Sequence, residues 1–160
     1  MKEEKKKRSG RPRLSPVYNE MKLDFPSHSR NEGFARAAAA AFISSADPTA
    51  TELSDIKCAL SEAVTNCTVH AYPDRIGIIR LEIKMREDGT VMLTVKDKGV
   101  GISDVDRARE PLFTTDAAGE RSGMGFTVME GFCDTVKVVS KPGKGTTVTL
   151  TRKLSGKSPY

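Results

Sequence analysis

Glu62 and Asn66 form the first of three short segments that suit phosphate and magnesium chemistry. They are spaced i, i+4 in a predicted helix, so both project from one face. A carboxylate beside an amide suits Mg²⁺, because this hard cation prefers oxygen ligands. Polar pairs at this spacing are also common on solvent-exposed helix faces. The pair alone therefore favours an ordinary exposed face over a magnesium site.

The second segment is the sequence DKGVG at positions 97–101, which follows a predicted strand. Asp97 can accept a hydrogen bond from an amine. Gly99 and Gly101 allow a flat ligand to approach the backbone closely, because they lack a Cβ. Glycine-rich turns after strands are frequent, so a plain tight turn is an equally good interpretation of this segment alone.

The third segment is the sequence RSGMG at positions 121–125, which precedes a predicted helix. Glycine-rich backbone at a helix N-terminus favours phosphate, through free N–H groups and the helix dipole. Arg121 can neutralise phosphate charge. A flexible loop with an incidental pair of glycines is the alternative. Neither GxxxxGK[ST] nor GxGxxG after a strand occurs, so the sequence does not predict a P-loop or a Rossmann phosphate site.

Alternating and helical periodicities define the elements that must position these segments. They predict a strand at 18–25, helices from Ser29 to about 45 and from Thr49 to about 71, strands at 76–85 and 90–96, short helices at 103–109 and 126–132, and a hairpin of strands at 134–139 and 146–152. Capping boxes are predicted for Ser29 with Glu32 and for Thr49 with Glu52. The polar segment 110–125 is predicted to be a mobile loop. The order favours an α+β fold, a two-layer sandwich of a mixed or antiparallel sheet with helices on one face.

The charge of the chain is concentrated at its start. Residues 1–13 account for all of the net charge of +5, and the remainder is neutral. We therefore expect a disordered basic tail at 1–17, one domain at 18–153 and a short tail at 154–160. The basic tail suits a contact with nucleic acid or acidic lipid, but its composition favours a solvated extension or a start upstream of Met21. The neutral body disfavours a protein that acts through nucleic acid.

Apolar runs and cysteines limit the cellular context. No run of 18 apolar residues and no secretory signal is present, which predicts a cytoplasmic protein. Cys58, Cys67 and Cys133 show no spacing typical of zinc sites or disulfide frameworks, so buried, non-functional thiols are expected. His70, one turn beyond Asn66, is predicted to be structural or solvent-facing rather than phosphorylated.

The three segments occur in an order that resembles the GHKL family of ATPases and kinases, which has the Bergerat ATP-binding fold. The N box of that family is similar to residues 62–66, the G1 box to 97–101 and the G2 box to 123–125. Four sequences, SEAVTN at 61–66, PLFTT at 111–115, ERSGMG at 120–125 and GTT at 145–147, are similar to the anti-sigma F factors of endospore-forming bacteria. The resemblance covers residues 18–153.

This resemblance implies a site for ATP with Mg²⁺. It implies that Glu62 is the general base, that Asn66 coordinates magnesium and that Asp97 accepts from the adenine amino group. Thr65 and Thr147 would line the adenine or sugar. Further residues implied to contact the nucleotide, through backbone access or from an ATP lid near the terminal phosphates, are Gly99, Gly101, Gly123, Gly125, Arg121 and Ser122.

The resemblance also implies protein partners. They are a sigma factor of the sigma F type, held inactive by the ATP-bound form, and an anti-anti-sigma protein that is phosphorylated on serine. It implies a homodimer, and it implies that Arg36 grips both partners; by sequence alone, Arg36 is an ordinary exposed helix arginine. An ATP-dependent sigma-binding module without catalysis is the alternative function, and an intact Glu62 argues against it.

Overall fold

Five strands and four helices form the part of the chain that the structure, a computed structural model, describes: residues 13–112 and 124–156. In chain order they are β1 (Val17–Pro26), α1 (Asn31–Ile43), α2 (Ala50–Asn66), β2 (Ile78–Arg86), β3 (Thr90–Asp97), α3 (Val105–Ala108), α4 (Gly125–Phe132), β4 (Thr135–Lys141) and β5 (Gly145–Lys153). A 3₁₀ turn at Ser44–Ala46 follows α1, and a π-helical segment at Cys67–Ala71 continues α2.

The strands form one sheet in the order β1-β2-β3-β5-β4, and every neighbouring pair is antiparallel. One face is buried: Leu81, Val95 and Val148 lie side by side in register and belong to the core. The buried aliphatic and small side chains of α1 and α2 join the same core. The predicted α+β sandwich is therefore confirmed, with a wholly antiparallel sheet.

Helix capping follows the sequence at α2 but not at α1. At α2, Thr49 Oγ1 accepts from the backbone N–H of Glu52 at 3.1 Å, and Glu52 Oε2 accepts from the N–H of Thr49 at 2.9 Å. The predicted box of Ser29 with Glu32 is wrong, because α1 begins at Asn31 without a side-chain cap. The carboxylate of Glu32 instead accepts from Thr68 Oγ1 at 2.8 Å, so a tertiary partner replaces the local one.

Backbone hydrogen bonds extend beyond both predicted domain limits. The carbonyl of Pro16 accepts from the N–H of Glu87 at 3.0 Å, so the β2–β3 turn holds the chain ahead of β1. After β5, Leu154 is buried, and its N–H donates to the carbonyl of Gly89 at 3.0 Å. Residues 1–12 of the predicted tail at 1–17, and residues 157–160 of the predicted tail at 154–160, lie outside the described residues.

Two sequence-based expectations concern membranes and thiols. Within residues 13–112 and 124–156, no helix is long and apolar enough to cross a membrane. Cys67 and Cys133 are buried as predicted, whereas Cys58 is exposed. The expectation for Cys58 is wrong because its position in α2 lies on the side of the helix away from the core.

Glu52 connects the start of α2 to the end of the chain. Its carboxylate accepts from the backbone N–H groups of Thr49 at 2.9 Å and of Ser155 at 2.6 Å. Burial disfavours the charged form, but these hydrogen bonds outweigh burial and lower the pKa of Glu52 from 4.5 to about 2.

We predict that Glu52→Gln lowers the free energy of unfolding at pH 7 by about 1–2 kcal/mol, since hydrogen bonds to a charged group are lost. A lowered folded-state pKa contributes stability above pH 4.5, and that contribution disappears as the pH falls towards 2. Urea denaturation at pH 7 and pH 3 measures this: the gap between variant and wild type should narrow at pH 3. A gap that stays constant with pH would contradict the assignment.

Candidate functional site

A cavity of about 1030 Å³ opens beside α2, between its π-helical end, the ends of β3 and β5, α3 and the first turn of α4. Its volume suits a nucleotide-sized ligand. Six of the predicted site residues line it: Glu62, Thr65, Asn66, Asp97, Gly101 and Gly125. The structure thus brings together segments that are separated by up to about 60 positions in the sequence.

Glu62 and Asn66 meet the start of α4 at one end of the cavity. A Cβ added to Gly125 would lie 3.2 Å from Glu62 Oε2 and 3.5 Å from Asn66 Oδ1. The first residue of α4 therefore faces both oxygens with backbone alone. On α2, the neighbours Ala63 and Val64 are buried, and the two polar residues Glu62 and Asn66 line the cavity.

Asp97 occupies another part of the cavity wall, at the end of β3, and is only 8% exposed. Its Oδ1 accepts from the backbone N–H of Gly99 at 2.9 Å and from that of Thr146 at 3.2 Å. Its Oδ2 accepts from the Cys67 thiol at 3.4 Å. These contacts hold a buried carboxylate that still borders the cavity, as an acceptor for a ligand amine requires.

Gly99 and Gly101 permit close contacts between backbone segments. A Cβ on Gly99 would lie 2.0 Å from the carbonyl oxygen of Ala71, and Val100 N–H donates to that oxygen at 2.9 Å. Gly101 has a φ of +74° and packs against the carbonyl of Lys141. Gly101 lines the cavity and Gly99 does not. The glycine at 99 is thus needed for packing against the π-helical segment.

On β5, Thr146 takes the place that was predicted for Thr147. Thr146 and Val148 line the cavity, whereas Thr147 does not. Because side chains alternate along a strand, Thr147 lies on the opposite face of the sheet. Alternation with the core residues Val148 and Leu150 is the sequence signal that identifies Thr146 as the inward-facing residue.

Part of the predicted site lies outside the described residues. Arg121, Ser122 and Gly123, together with positions 113–120 of the predicted lid, belong to the stretch 113–123 that the structure does not describe. Their predicted contacts with the terminal phosphates stay predictions.

The cavity has further polar residues that sequence reasoning did not assign to it. Those with ionisable side chains are Glu32, His70, Asp104 and Arg107. Among the described lining residues, four are carboxylates and Arg107 is the only lysine or arginine. No periodicity or motif singles out Arg107; its place in the cavity depends on how the short α3 packs.

Comparisons with known proteins identify the family of this chain. A family model described as a histidine kinase-like ATPase domain matches residues 25–152. The anti-sigma F factor of Geobacillus stearothermophilus is 55% identical over 133 residues, which cover 82% of this chain and 90% of that protein. The chain belongs to the anti-sigma F factor family. The anti-sigma F factor of Bacillus subtilis (strain 168) is 49% identical over 138 residues, covering 86% of this chain and 94% of that protein.

Solved structures give the same fold at lower identity. The structure of the RsbU and RsbW domains of Rv1364c from Mycobacterium tuberculosis matches with a TM-score of 0.65 at 20% identity, covering 89% of this chain and 34% of that one. The histidine kinase domain of the Erythrobacter litoralis EL346 blue-light activated kinase matches with a TM-score of 0.54 at 22% identity, covering 78% and 61%.

These comparisons confirm the predicted GHKL-type fold and the resemblance to anti-sigma F factors. A histidine kinase-like ATPase domain binds nucleotide, and its activity is of the ATP-dependent kinase type. The cavity bordered by Glu62, Asn66 and Asp97 is the candidate nucleotide site of this domain.

Proposed function

We propose that the chain is a cytoplasmic anti-sigma factor that sequesters a sigma factor of the sigma F type. In the same proposal it is an ATP-dependent kinase that phosphorylates a serine of an anti-anti-sigma protein and thereby inactivates that protein. The observation that carries this proposal is one cavity that joins a carboxylate and an amide on α2 to a buried carboxylate on β3.

The cavity favours one orientation of ATP. Asp97, with its two backbone donors and its position at the inner wall, suits the adenine amino group. The terminal phosphates would then lie near Gly125, where the N-terminus of α4 meets Glu62 and Asn66. Backbone N–H groups and the helix dipole at that end favour negative charge.

Magnesium fits the oxygen donors at that end. Among the described residues, no group of three or more His, Cys, Asp or Glu side chains is placed to hold a metal ion. Mg²⁺ that is shared with substrate phosphates usually takes only one or two protein ligands. Asn66 Oδ1 is the protein ligand in this proposal, with the Glu62 carboxylate adjacent. When bound, the ion neutralises phosphate charge.

Glu62 would act as the general base. Its carboxylate takes the proton of the acceptor serine hydroxyl while the serine oxygen forms a bond to the γ-phosphorus. The bond from that phosphorus to the β–γ bridging oxygen breaks, and ADP leaves. Positioning and charge stabilisation provide most of the rate acceleration in this reaction class. Arg121 and Ser122, as proposed lid residues, would contact the terminal phosphates.

The proposed partner surface lies on α1, close to α2, the helix that carries Glu62. Arg36 is exposed, and its Nη1 donates to Ser61 Oγ at 3.1 Å. Ser61 directly precedes Glu62, and Phe34, on the same helix, is 52% exposed. An exposed aromatic beside an arginine is typical of residues that contribute strongly to protein interfaces. In this proposal the protein is a homodimer.

The test uses the purified protein, radiolabelled ATP and an anti-anti-sigma protein from an endospore-forming bacterium. We expect labelled phosphoserine on that protein, and we expect the sigma factor to co-elute with the chain only in the presence of ATP and Mg²⁺. Co-elution without any phosphate transfer would replace the kinase with a binding module. Absence of both results would overturn the proposal.

Arg107 gives a prediction specific to this cavity. Because it is the only lysine or arginine among the described lining residues, Arg107→Gln should weaken ATP binding about fivefold to tenfold, with a smaller effect on adenosine. Arg107→Lys should keep most of the affinity. Lys137→Gln on β4, outside the cavity, removes the same charge and controls for long-range electrostatics. Calorimetric titration of the wild type and the three variants measures these affinities. Equal losses for ATP and adenosine in Arg107→Gln would exclude a phosphate contact.

A further inference from the structure

Cys67 lies between the end of α2 and the part of the cavity where Asp97 is proposed to bind adenine. It is the first residue of the π-helical segment, directly follows Asn66 and is 4% exposed. It lines the cavity. Its thiol donates to Asp97 Oδ2 at 3.4 Å, a normal length for a sulfur donor, although the two residues are 30 positions apart. A buried thiol thus contacts the carboxylate that is proposed to recognise adenine.

The two oxygens of Asp97 are held by different groups. Within residues 13–112 and 124–156, Oδ1 receives the backbone N–H groups of Gly99 and Thr146, whereas Oδ2 receives only the Cys67 thiol. The terminal torsion of an aspartate is broad, so contacts to one oxygen leave the carboxylate plane free to turn. A donor at Oδ2 fixes that plane.

The Cys67 thiol is the donor in its contact with Asp97 Oδ2. The protonated thiol is a weak donor and occupies one lone pair of Oδ2. The other lone pair is left for a ligand amine.

We infer that Cys67 is a positioning residue that orients the Asp97 carboxylate towards the exocyclic amino group of adenine and so contributes to nucleotide selectivity. The inference rests on the proposed role of Asp97 in base recognition. It also revises the expectation of non-functional cysteines, which depended on spacing rules for metals and disulfides and not on single thiol–carboxylate pairs.

The experiment compares ATP with purine riboside triphosphate, which lacks the 6-amino group. Cys67→Val removes the donor and keeps an apolar side chain, Cys67→Ser restores a donor, and Cys133→Val alters a buried cysteine that does not line the cavity. We expect Cys67→Val to weaken ATP binding about threefold and to leave the analogue unchanged. Cys67→Ser and Cys133→Val should keep the wild-type ratio of the two affinities.

Cys67→Ala, which is smaller, is tested alongside in case the valine variant does not fold. Equal losses for ATP and the analogue in Cys67→Val and Cys67→Ala would show a packing role and overturn the inference, as would failure of Cys67→Ser to keep the ratio.

Asp97→Asn separates this inference from the function beneath it. If that variant leaves the affinity ratio at its wild-type value, the proposed role of Asp97 fails, and the inference fails with it. If Asp97→Asn removes the preference for ATP while Cys67→Val does not, only the role of Cys67 is refuted.

Discussion

Replacing Glu62 with glutamine is expected to reduce phosphoryl transfer to the serine acceptor by about 100-fold or more, while ATP affinity changes less than about twofold. Glutamine keeps the size of the side chain and its place beside Gly125, but it cannot take a proton. A single-turnover assay with labelled ATP measures the transfer step, and calorimetry measures nucleotide binding.

Glu82→Gln is a matched control for the loss of one carboxylate. Glu82 lies on β2, on the sheet face opposite to the cavity, and its ion pair with Lys96 spans 3.5 Å. We expect this variant to transfer phosphate at the wild-type rate. Full transfer by Glu62→Gln would refute the assignment of the base. Sigma capture by both variants would show that sequestration and catalysis are separable.

Replacing Asp97 with asparagine is expected to weaken ATP binding about 10- to 100-fold with little change in folding. The asparagine oxygen can still accept from the N–H groups of Gly99 and Thr146, so the end of β3 stays joined to β5. The amide nitrogen, however, replaces one acceptor oxygen of Asp97. Because it is a donor, it cannot hydrogen-bond to the adenine amino group, which is also a donor. The affinity for GTP relative to ATP should rise, because the amide can donate to the guanine carbonyl.

Competition between labelled ATP and unlabelled GTP measures that shift. Thermal denaturation of the ligand-free variant checks that the fold is kept. Asp97→Ala provides the contrast, since it leaves two backbone donors without their partner and should lower stability by about 1–3 kcal/mol for each of them. If Asp97→Asn leaves the nucleotide preference unchanged, the adenine ring binds elsewhere in the cavity.

Arg36 and Glu62 suggest how nucleotide and partners are coupled in the proposed function. Arg36 is hydrogen-bonded to Ser61, and Ser61 is adjacent to the proposed base. A change in the side-chain arrangement of α2 on nucleotide binding would therefore reach the α1 surface through one contact. In this proposal the sigma factor and the anti-anti-sigma protein meet a surface next to the transferred phosphate.

The elements, and the positions of two of the three candidate nucleotide segments, could be predicted from the sequence because their causes are local. The i, i+4 spacing puts Glu62 and Asn66 on one face of α2, and strand alternation predicts both hairpins. The α2 capping box formed because Thr49 and Glu52 are close in sequence. The third segment, at 121–125, remains a prediction at the positions before 124.

Tertiary structure decided the details that depend on residues far apart in the chain. The orientation of β5 in the sheet places Thr146, and not Thr147, in the wall of the cavity. Packing of the turn after β3 against the π-helical segment assigned Gly99 a backbone contact with Ala71. Glu32 accepts a hydrogen bond from Thr68 and does not form the capping box that was predicted with Ser29.

The residues of the candidate site show the same distinction between local and tertiary causes. The residue types at 62, 66 and 97 are apparent in the sequence, because the proposed phosphate and magnesium chemistry requires particular side chains at particular spacings. The thiol of Cys67 on Asp97 and the position of Arg107 in the cavity are apparent only in the folded chain. No local pattern records which side chains meet across a core, since long-range packing determines those contacts.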